Sequence, residues 1–323
     1  MQIRKAVITA AGRGVRLYPA SDSVQKGMFP FIDRDGINKP VIQIIAEEAL
    51  ESGIEEICVV CVPGDEERYR DGFQLLRENL LTAYRGADWA REQDDRLSNL
   101  MRRLHFAVQQ EAGGYGDAVY RAREFIGNEP FLLLLGDHLY ISHTKDARCA
   151  QQLIGLAQQE KCPVSAVHAT REHLVTHYGT VGGKRLPDRA GVYQIERILE
   201  KPSISQAELE LQVPGLRAGH YLCFFGMHVL SPAVFFILES QINAGLRQQG
   251  QLQLTPALEQ LARAEKYLAL EVTGTRYDIG RRFGLLQSQL ALALNGCDRD
   301  EVLTLVINLL AETGRRENRD TED

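Results

Sequence analysis

The chain has no apolar run long enough to cross a bilayer, and no apolar leader stretch within its opening Met1–Gln–Ile–Arg–Lys–Ala–Val–Ile–Thr–Ala–Ala–Gly12. Those absences predict a cytoplasmic protein with no membrane partner. Positive charge is also not in excess. With 37 Lys and Arg against 43 Asp and Glu, the formal net charge is -6, so there is no broad basic face for nucleic-acid phosphates. Cysteines are few and scattered, six in 323 residues. The pair Cys58–Val–Val–Cys61 lies in an apolar run that reads as a strand, where residues three apart point to opposite faces and cannot share a metal. His173 and His177 have helical spacing, but no second pair nearby completes a tetrahedral site. Internal repeats and low-complexity tracts are absent too. What remains is an ordinary globular composition, 44% hydrophobic and 25% charged, long enough to bury a sizeable core.

Strand-like and helix-like segments alternate through the first half. Lys5–Thr9 is a short apolar run, 39–52 has helical apolar spacing that stops at Gly53, and 56–62 is again apolar. After a charged, mostly helical excursion over 65–103, which reads as a surface lid or contact element, come strands at 104–108 and 131–135. Residues 118–125 supply a crossover helix between them. The run Phe131–Leu–Leu–Leu–Leu135 is apolar on both faces, as in a central parallel strand covered by helices. This rhythm predicts an α/β fold with a largely parallel sheet. Further strands are expected at 164–167, 192–198 and 222–225, and helices at 283–294 and 301–310, with a polar, disordered tail from Glu312.

The first strand ends in Ala10–Ala11–Gly12–Arg13–Gly14–Val15–Arg16–Leu17–Tyr18–Pro19. A glycine-rich turn after a first strand can press backbone N–H groups against phosphates. It is not a dinucleotide fingerprint, since Leu17 stands where the third glycine belongs, and no Gly–Lys–Ser/Thr follows to make a P-loop. Arg16 and then Lys26, in Lys26–Gly27–Met28–Phe29–Pro30, add two cations beside that cradle. Such a set suits a triphosphate.

This string resembles the signature loop of sugar-1-phosphate nucleotidyltransferases, and among them looks most like the bacterial UTP–glucose-1-phosphate uridylyltransferases. Their usual Lys-Glu-Met-Leu-Pro has Gly27 in place of the glutamate. Later segments resemble the same family in the same order. Gln109–Gln110–Glu111–Ala112–Gly113–Gly114–Tyr115–Gly116 is similar to its base-reading segment, with Gln110 favoured over Gln109 as the reader and Gly114 as the glycine that lets the base approach. Gly136–Asp137 resembles the first metal-binding aspartate, and Tyr277–Asp278–Ile279–Gly280 the second. Tyr178–Gly179–Thr180–Val181 and Glu200–Lys201–Pro202 resemble the sugar-contacting turn and the Glu-Lys-Pro that holds sugar hydroxyls and sugar phosphate. Gly226–Ser231 and Gln251–Ala257 match the family more loosely, with acidic and aromatic residues changed. The turn Asp33–Arg–Asp–Gly–Ile–Asn38 before Lys39–Pro40 is longer than the family's link.

The resemblance spans roughly 3–295 and implies a Rossmann-like three-layer α/β sandwich with a mostly parallel central sheet, of the nucleotide-diphospho-sugar transferase type. It implies a catalytic domain over 1–284 and a C-terminal helical extension over 285–323. Arg16, Lys26 and Lys201 would be the catalytic cations. Ala11, Gly12, Gly14, Gln110 and Gly114 would bind the nucleotide, Gly179, Glu200 and Lys201 the sugar, and Asp137 and Asp278 a Mg²⁺ ion. The substrates implied are a nucleoside triphosphate, UTP favoured, and a sugar 1-phosphate, glucose 1-phosphate favoured. A dTTP-using enzyme remains open because uracil and thymine present the same pairing edge. So does a weakly catalytic sugar-nucleotide regulator, because the glutamate is missing at Gly27 and acidic residues are lost near Thr255 and Pro256. Apolar stripes at Leu285, Leu286, Leu290, Leu294 and at Val302, Leu305, Val306, Leu309 allow self-association as a homo-oligomer, though such stripes more often pack internally.

Overall fold

The computed structural model describes residues 1–12, 24–248 and 250–319. The first half runs β1 (Lys5–Thr9), a 3₁₀ turn at Lys26–Met28, the ribbon β2 (Pro30–Ile32) and β3 (Asn38–Pro40), α1 (Val41–Leu50) and β4 (Glu56–Cys61). It continues with α2 (Asp65–Ala83), α3 (Asp88–Arg103), β5 (Leu104–Val108), α4 (Tyr115–Arg121), α5 (Arg123–Ile126), β6 (Phe131–Leu135) and β7 (His138–Ser142). The second half has α6 (Cys149–Glu160), β8 (Val164–Arg171), β9 (Gly179–Arg185), β10 (Val192–Glu200), α7 (Ile204–Glu210) and β11 (His220–Leu230). Then come α8 (Ala233–Asn243), α9 (Thr255–Ala264), β12 (Leu268–Glu271), β13 (Gly274–Asp278), α10 (Gly284–Leu294) and α11 (Arg299–Arg319).

Among the described residues, nine strands form one sheet in the order β5-β4-β1-β6-β11-β8-β12-β10-β9. Side chains alternate across it. Ala6 and Ile8 of β1, Ile57 and Val59 of β4, and Leu132 and Leu134 of β6 join one core with Val41, Ile42 and Ile45 of α1 and Leu153 of α6. Val7, Cys58, Val60, Phe131 and Leu133 join the opposite core with Val119, Val234, Leu238, Leu258 and Leu261. Each fully buried aliphatic side chain contributes about 1.5–3 kcal/mol, so both sheet faces must be covered, and helices cover both. Cys58 and Cys61 fall in opposite cores, as the strand reading required. Burial pushes both thiols up to about 12.

The sheet is mixed rather than mostly parallel. The pairs β5–β4, β4–β1 and β1–β6 are parallel, because α1 and the α2–α5 segments carry the chain back along the sheet faces. Beyond β6 the pairings β6–β11, β11–β8, β12–β10 and β10–β9 are antiparallel, with only β8–β12 parallel. The apolar runs at 192–200 and 220–230 carry no orientation in their composition, so the all-apolar β6 was an incomplete guide to its second neighbour.

Strand β11 is where the two halves meet. One of its edges follows β8, while the other pairs with β9 at Leu222–Cys223 and with β6 at Met227–Leu230. The change of partner falls at an irregularity between Phe224 and His228, where Gly226 takes φ +84°. The ribbon β7–β13 lies over that split. Tyr140 donates to the Gly226 carbonyl at 2.8 Å and Arg276 Nη1 to the Phe224 carbonyl at 2.9 Å.

Three local expectations change. The 65–103 excursion is not a detached lid: α2 and α3 sink Tyr69, Phe73, Leu97 and Leu100 into the core beside α1. The crossover helix is broken into α4 and α5. The polar stretch from Glu312 continues as helix through Arg319, since Glu and Arg propagate a helix well once it has started; residues 320–323 lie outside the described residues. No described helix is long and apolar enough to cross a membrane.

Candidate functional site

The carboxyl end of a parallel strand beside a topological switch is where α/β folds form sites. Here β1 and β6 end together. Gly136 donates its N–H to the Thr9 carbonyl at 2.9 Å, and a Cβ on Gly136 would lie 2.7 Å from that same oxygen. The glycine turn's root at Ala10–Ala11–Gly12 is thereby held against Gly136–Asp137. Gly14 and Arg16 lie outside the described residues.

Asp137 follows this crowded turn, and Asp278 ends β13, directly opposite His138 in the β13–β7 pairing. The Ile279 N–H donates to the Asp137 carbonyl at 3.0 Å, which joins the two aspartates through backbone. Ligand atoms of Asp137, His138 and Asp278 all lie within 4.8 Å of one another. Lys26 Nζ reaches Asp137 Oδ2 at 2.8 Å. A Cβ on Gly280 would stand 2.8 Å from Lys26 Nζ, 3.0 Å from Asp278 Oδ1 and 3.3 Å from Asp137 Oδ2. Only glycine leaves that room. Its N–H also fixes the carboxylate, donating to Asp278 Oδ1 at 2.8 Å. Burial holds the His138 imidazole down at about 4 against the opposing pull of Asp137, which keeps it neutral.

The residues expected on the sugar side form a second group. Lys201 sits in the left-handed region at φ +45°, a conformation costing about 1 kcal/mol or more for a non-glycine residue. Its N–H donates to the Tyr178 carbonyl at 3.1 Å. Glu200 Oε2 accepts from Thr255 Oγ1 at 2.6 Å. A Cβ on Gly179 would meet the Phe224 ring at 2.7 Å and Glu200 Oε2 at 3.2 Å. Arg281 links the two groups: its Nε lies 3.3 Å from Asp278 Oδ2, and it also donates to the Tyr178 hydroxyl. Arg276 stacks on the same ring, 4.7 Å from its centroid.

Of the two glutamines, Gln109 is buried, and its Nε2 is engaged by Asp117 Oδ2 at 2.8 Å and the Gly114 carbonyl at 3.0 Å. Gln110 is exposed. Gly114 has φ +101°, and a Cβ there would lie 2.6 Å from the Leu252 carbonyl oxygen. The chain's own 251–253 segment therefore requires that glycine, bonded as it is through Leu252 N–H to the Gly113 carbonyl at 2.7 Å and Gly116 N–H to the Leu252 carbonyl at 2.9 Å. The same segment leads into Thr255 and so to Glu200.

Three residues escaped the sequence reading. Arg276 and Arg281 flank the Asp278 motif, and the two-residue spacing of Arg276 and Asp278 in a strand was a usable sign of a shared face. Tyr115 gave no such sign. Its buried hydroxyl has no hydrogen-bond partner among the described residues, and the charges of Asp137 and Glu200 act on it. His173 and His177 are exposed, as expected.

Residues 5–293 match the family described as nucleotidyl transferase. The chain belongs to that family. The UTP–glucose-1-phosphate uridylyltransferase of Streptococcus pneumoniae is 34% identical over 325 residues, which cover 98% of this chain and 99% of that protein. A UDP-glucose pyrophosphorylase solved with UDP-glucose is 27% identical with a TM-score of 0.70, over 90% of this chain and 98% of that one. The UTP-bound pyrophosphorylase of Acinetobacter baumannii is 25% identical with a TM-score of 0.73, over 95% and 100%. Against the family pattern, the missing glutamate at Gly27 now has a local cause. A Cβ at Gly27 would lie 2.6 Å from the Tyr69 hydroxyl and 3.3 Å from Ile42 Cβ, so α2 fills the space where the family's side chain would begin.

Proposed function

We propose that this nucleotidyl transferase family member moves a uridylyl group from UTP to glucose 1-phosphate, giving UDP-glucose and pyrophosphate. The observation that carries this reading is the convergence of Lys26, Asp137 and Asp278 around Gly280, at the strand ends beside the glycine turn. The kinship with UTP- and UDP-glucose-handling proteins over nearly the whole chain supports the choice of substrates.

In this reading, Ala11, Gly12, Gly14 and Arg16 cradle the triphosphate, and Gln110 and Gly114 border the base. Gly179 and Glu200 face the sugar, while Lys201 places its phosphate. Asp137 and Asp278 would hold a divalent cation, Mg²⁺ in the simplest case. Two carboxylates this close are hard oxygen donors, which fits such an ion. When bound, it would supply neutralisation of phosphate charge. A sugar phosphate has its second pKa near ~6, so at neutral pH it is already a dianion and needs no general base. The protein's task is then alignment of two anions that repel each other and neutralisation of their charge. Lys26 and Arg16 act on the triphosphate side and Lys201 on the acceptor side. The chemistry resides in 1–284, with 285–323 as a C-terminal extension of a cytoplasmic protein that can self-associate.

The test is pyrophosphate release across UTP and dTTP, each with several hexose 1-phosphates. The expected result is turnover highest for UTP with glucose 1-phosphate. UDP-glucose binding without turnover in any combination would instead mark a regulator.

A further inference from the structure

His138 stands between the two aspartates, and the mechanism above gives it no part. Its side chain is 9% exposed. Nε2 lies 3.8 Å from Asp137 Oδ1 and 3.9 Å from Asp278 Oδ2, too far for a hydrogen bond to either. Nδ1 is buried with no partner among the described residues. Packing alone leaves Nδ1 unsatisfied in a buried setting, which native structures avoid, and gives no reason for Nε2 to face two carboxylates. Room for the ring is also specific. A Cβ on Gly226 would lie 2.5 Å from Nδ1, so the glycine at the β11 irregularity is what lets the imidazole stand there.

The separations of 3.8 and 3.9 Å are within the span of two donors on one divalent ion, whose bonds are about 2.1 Å each. We propose that His138 is a third, nitrogen ligand of the cation, resting on the reading of Asp137 and Asp278 as its carboxylate ligands, and that it biases this chain from Mg²⁺ toward a transition-metal ion such as Mn²⁺. Imidazole suits first-row transition metals, whereas Mg²⁺ favours oxygen and retained water. Ligation at Nε2 would use the nitrogen that faces the carboxylates.

The experiment loads the full-length protein with Mn²⁺ alone and records electron spin echo modulation, comparing unlabelled protein with protein carrying ¹⁵N only in histidine. The expected result is modulation from a directly bound nitrogen that changes with the label and is lost in His138→Gln. Mn²⁺ affinity should fall about tenfold in that variant while Mg²⁺ affinity changes far less. If Mn²⁺ binding disappears in Asp137→Ala yet the wild-type spectrum shows no histidine nitrogen, His138 is not a ligand and the carboxylate pair stands. Modulation that persists in His138→Gln would assign the nitrogen elsewhere and overturn the proposal. Mn²⁺ binding indifferent to Asp137→Ala would remove both the pair and its third ligand. The wild-type spectrum decides whether or not the variants fold.

Discussion

The parallel end of the sheet and its antiparallel end build their parts of the site differently. At the parallel end backbone sets the frame around the Lys26–Asp137 ion pair: Gly136 against Thr9, the Gly280 amide on Asp278, and the Ile279 amide on the Asp137 carbonyl. At the antiparallel end side chains hold one another, with Thr255 on Glu200, Arg281 on Asp278 and Tyr178, and Arg276 on Tyr178. A backbone cradle tolerates almost no substitution where a Cβ would strike a carbonyl. A side-chain network can exchange one polar partner for another.

The largest effect that would test the contrast is at Asp137. Asp137→Ala is expected to lower cation-dependent pyrophosphate release by about a thousandfold, the upper range for losing one preorganised electrostatic contact, with the circular dichroism spectrum unchanged. Activity within tenfold of wild type would take Asp137 out of the reacting centre. At the other end, Lys201→Ala should reduce kcat/KM for sugar phosphate more than about tenfold through loss of a charged hydrogen bond worth ~1.5–3 kcal/mol. The KM for UTP should hold; if it rises in parallel, the two ends are not separable in function.

Restoring the family's residue with Gly27→Glu should destabilise the fold by about 1–3 kcal/mol through overpacking against Tyr69, measured by urea unfolding. A gain in turnover without loss of stability would mean that Gly27 is a catalytic deficit and not a packing solution. The last effect, confined to acid pH, concerns His228, buried in β11 and bonded through Nδ1 to Ser165 Oγ at 2.6 Å. Burial pushes its pKa from 6.5 down to about 3. The unfolded chain therefore takes up that proton first. Stability is full above pH 6.5 and falls as pH drops from there toward 3, by up to ~1.4 kcal/mol per pH unit. His228→Leu should flatten that part of the pH–stability curve; an unchanged slope would assign it to other groups.

How much could be read beforehand follows the same division. Strands β1, β5 and β6 were legible to the residue because their apolar runs are bounded by charge or glycine. The two aspartates and Lys26 were legible because each lies within two residues of a glycine, in segments that resemble the family's motifs in order. The direction of β11 was not, since an apolar strand says nothing about which neighbour it will run against. Nor were the partners of Gly114, because the segment that needs it is 251–253, far along the chain. Tyr115 was hidden for a related reason: an aromatic after glycine is ordinary until its hydroxyl is seen without a partner.

The place of β11 also orders events in time. Its neighbour β6 ends at residue 135, but β11 begins only at residue 220, so during synthesis the parallel quartet stands with an open edge while 136–219 are made. Such an edge invites wrong pairing until it is covered. Closing it brings the Gly226 irregularity into place, and the later β13 then carries Asp278 to Asp137. A chain interrupted before residue 278 thus has Asp137 without the Asp278 that β13 would bring beside it.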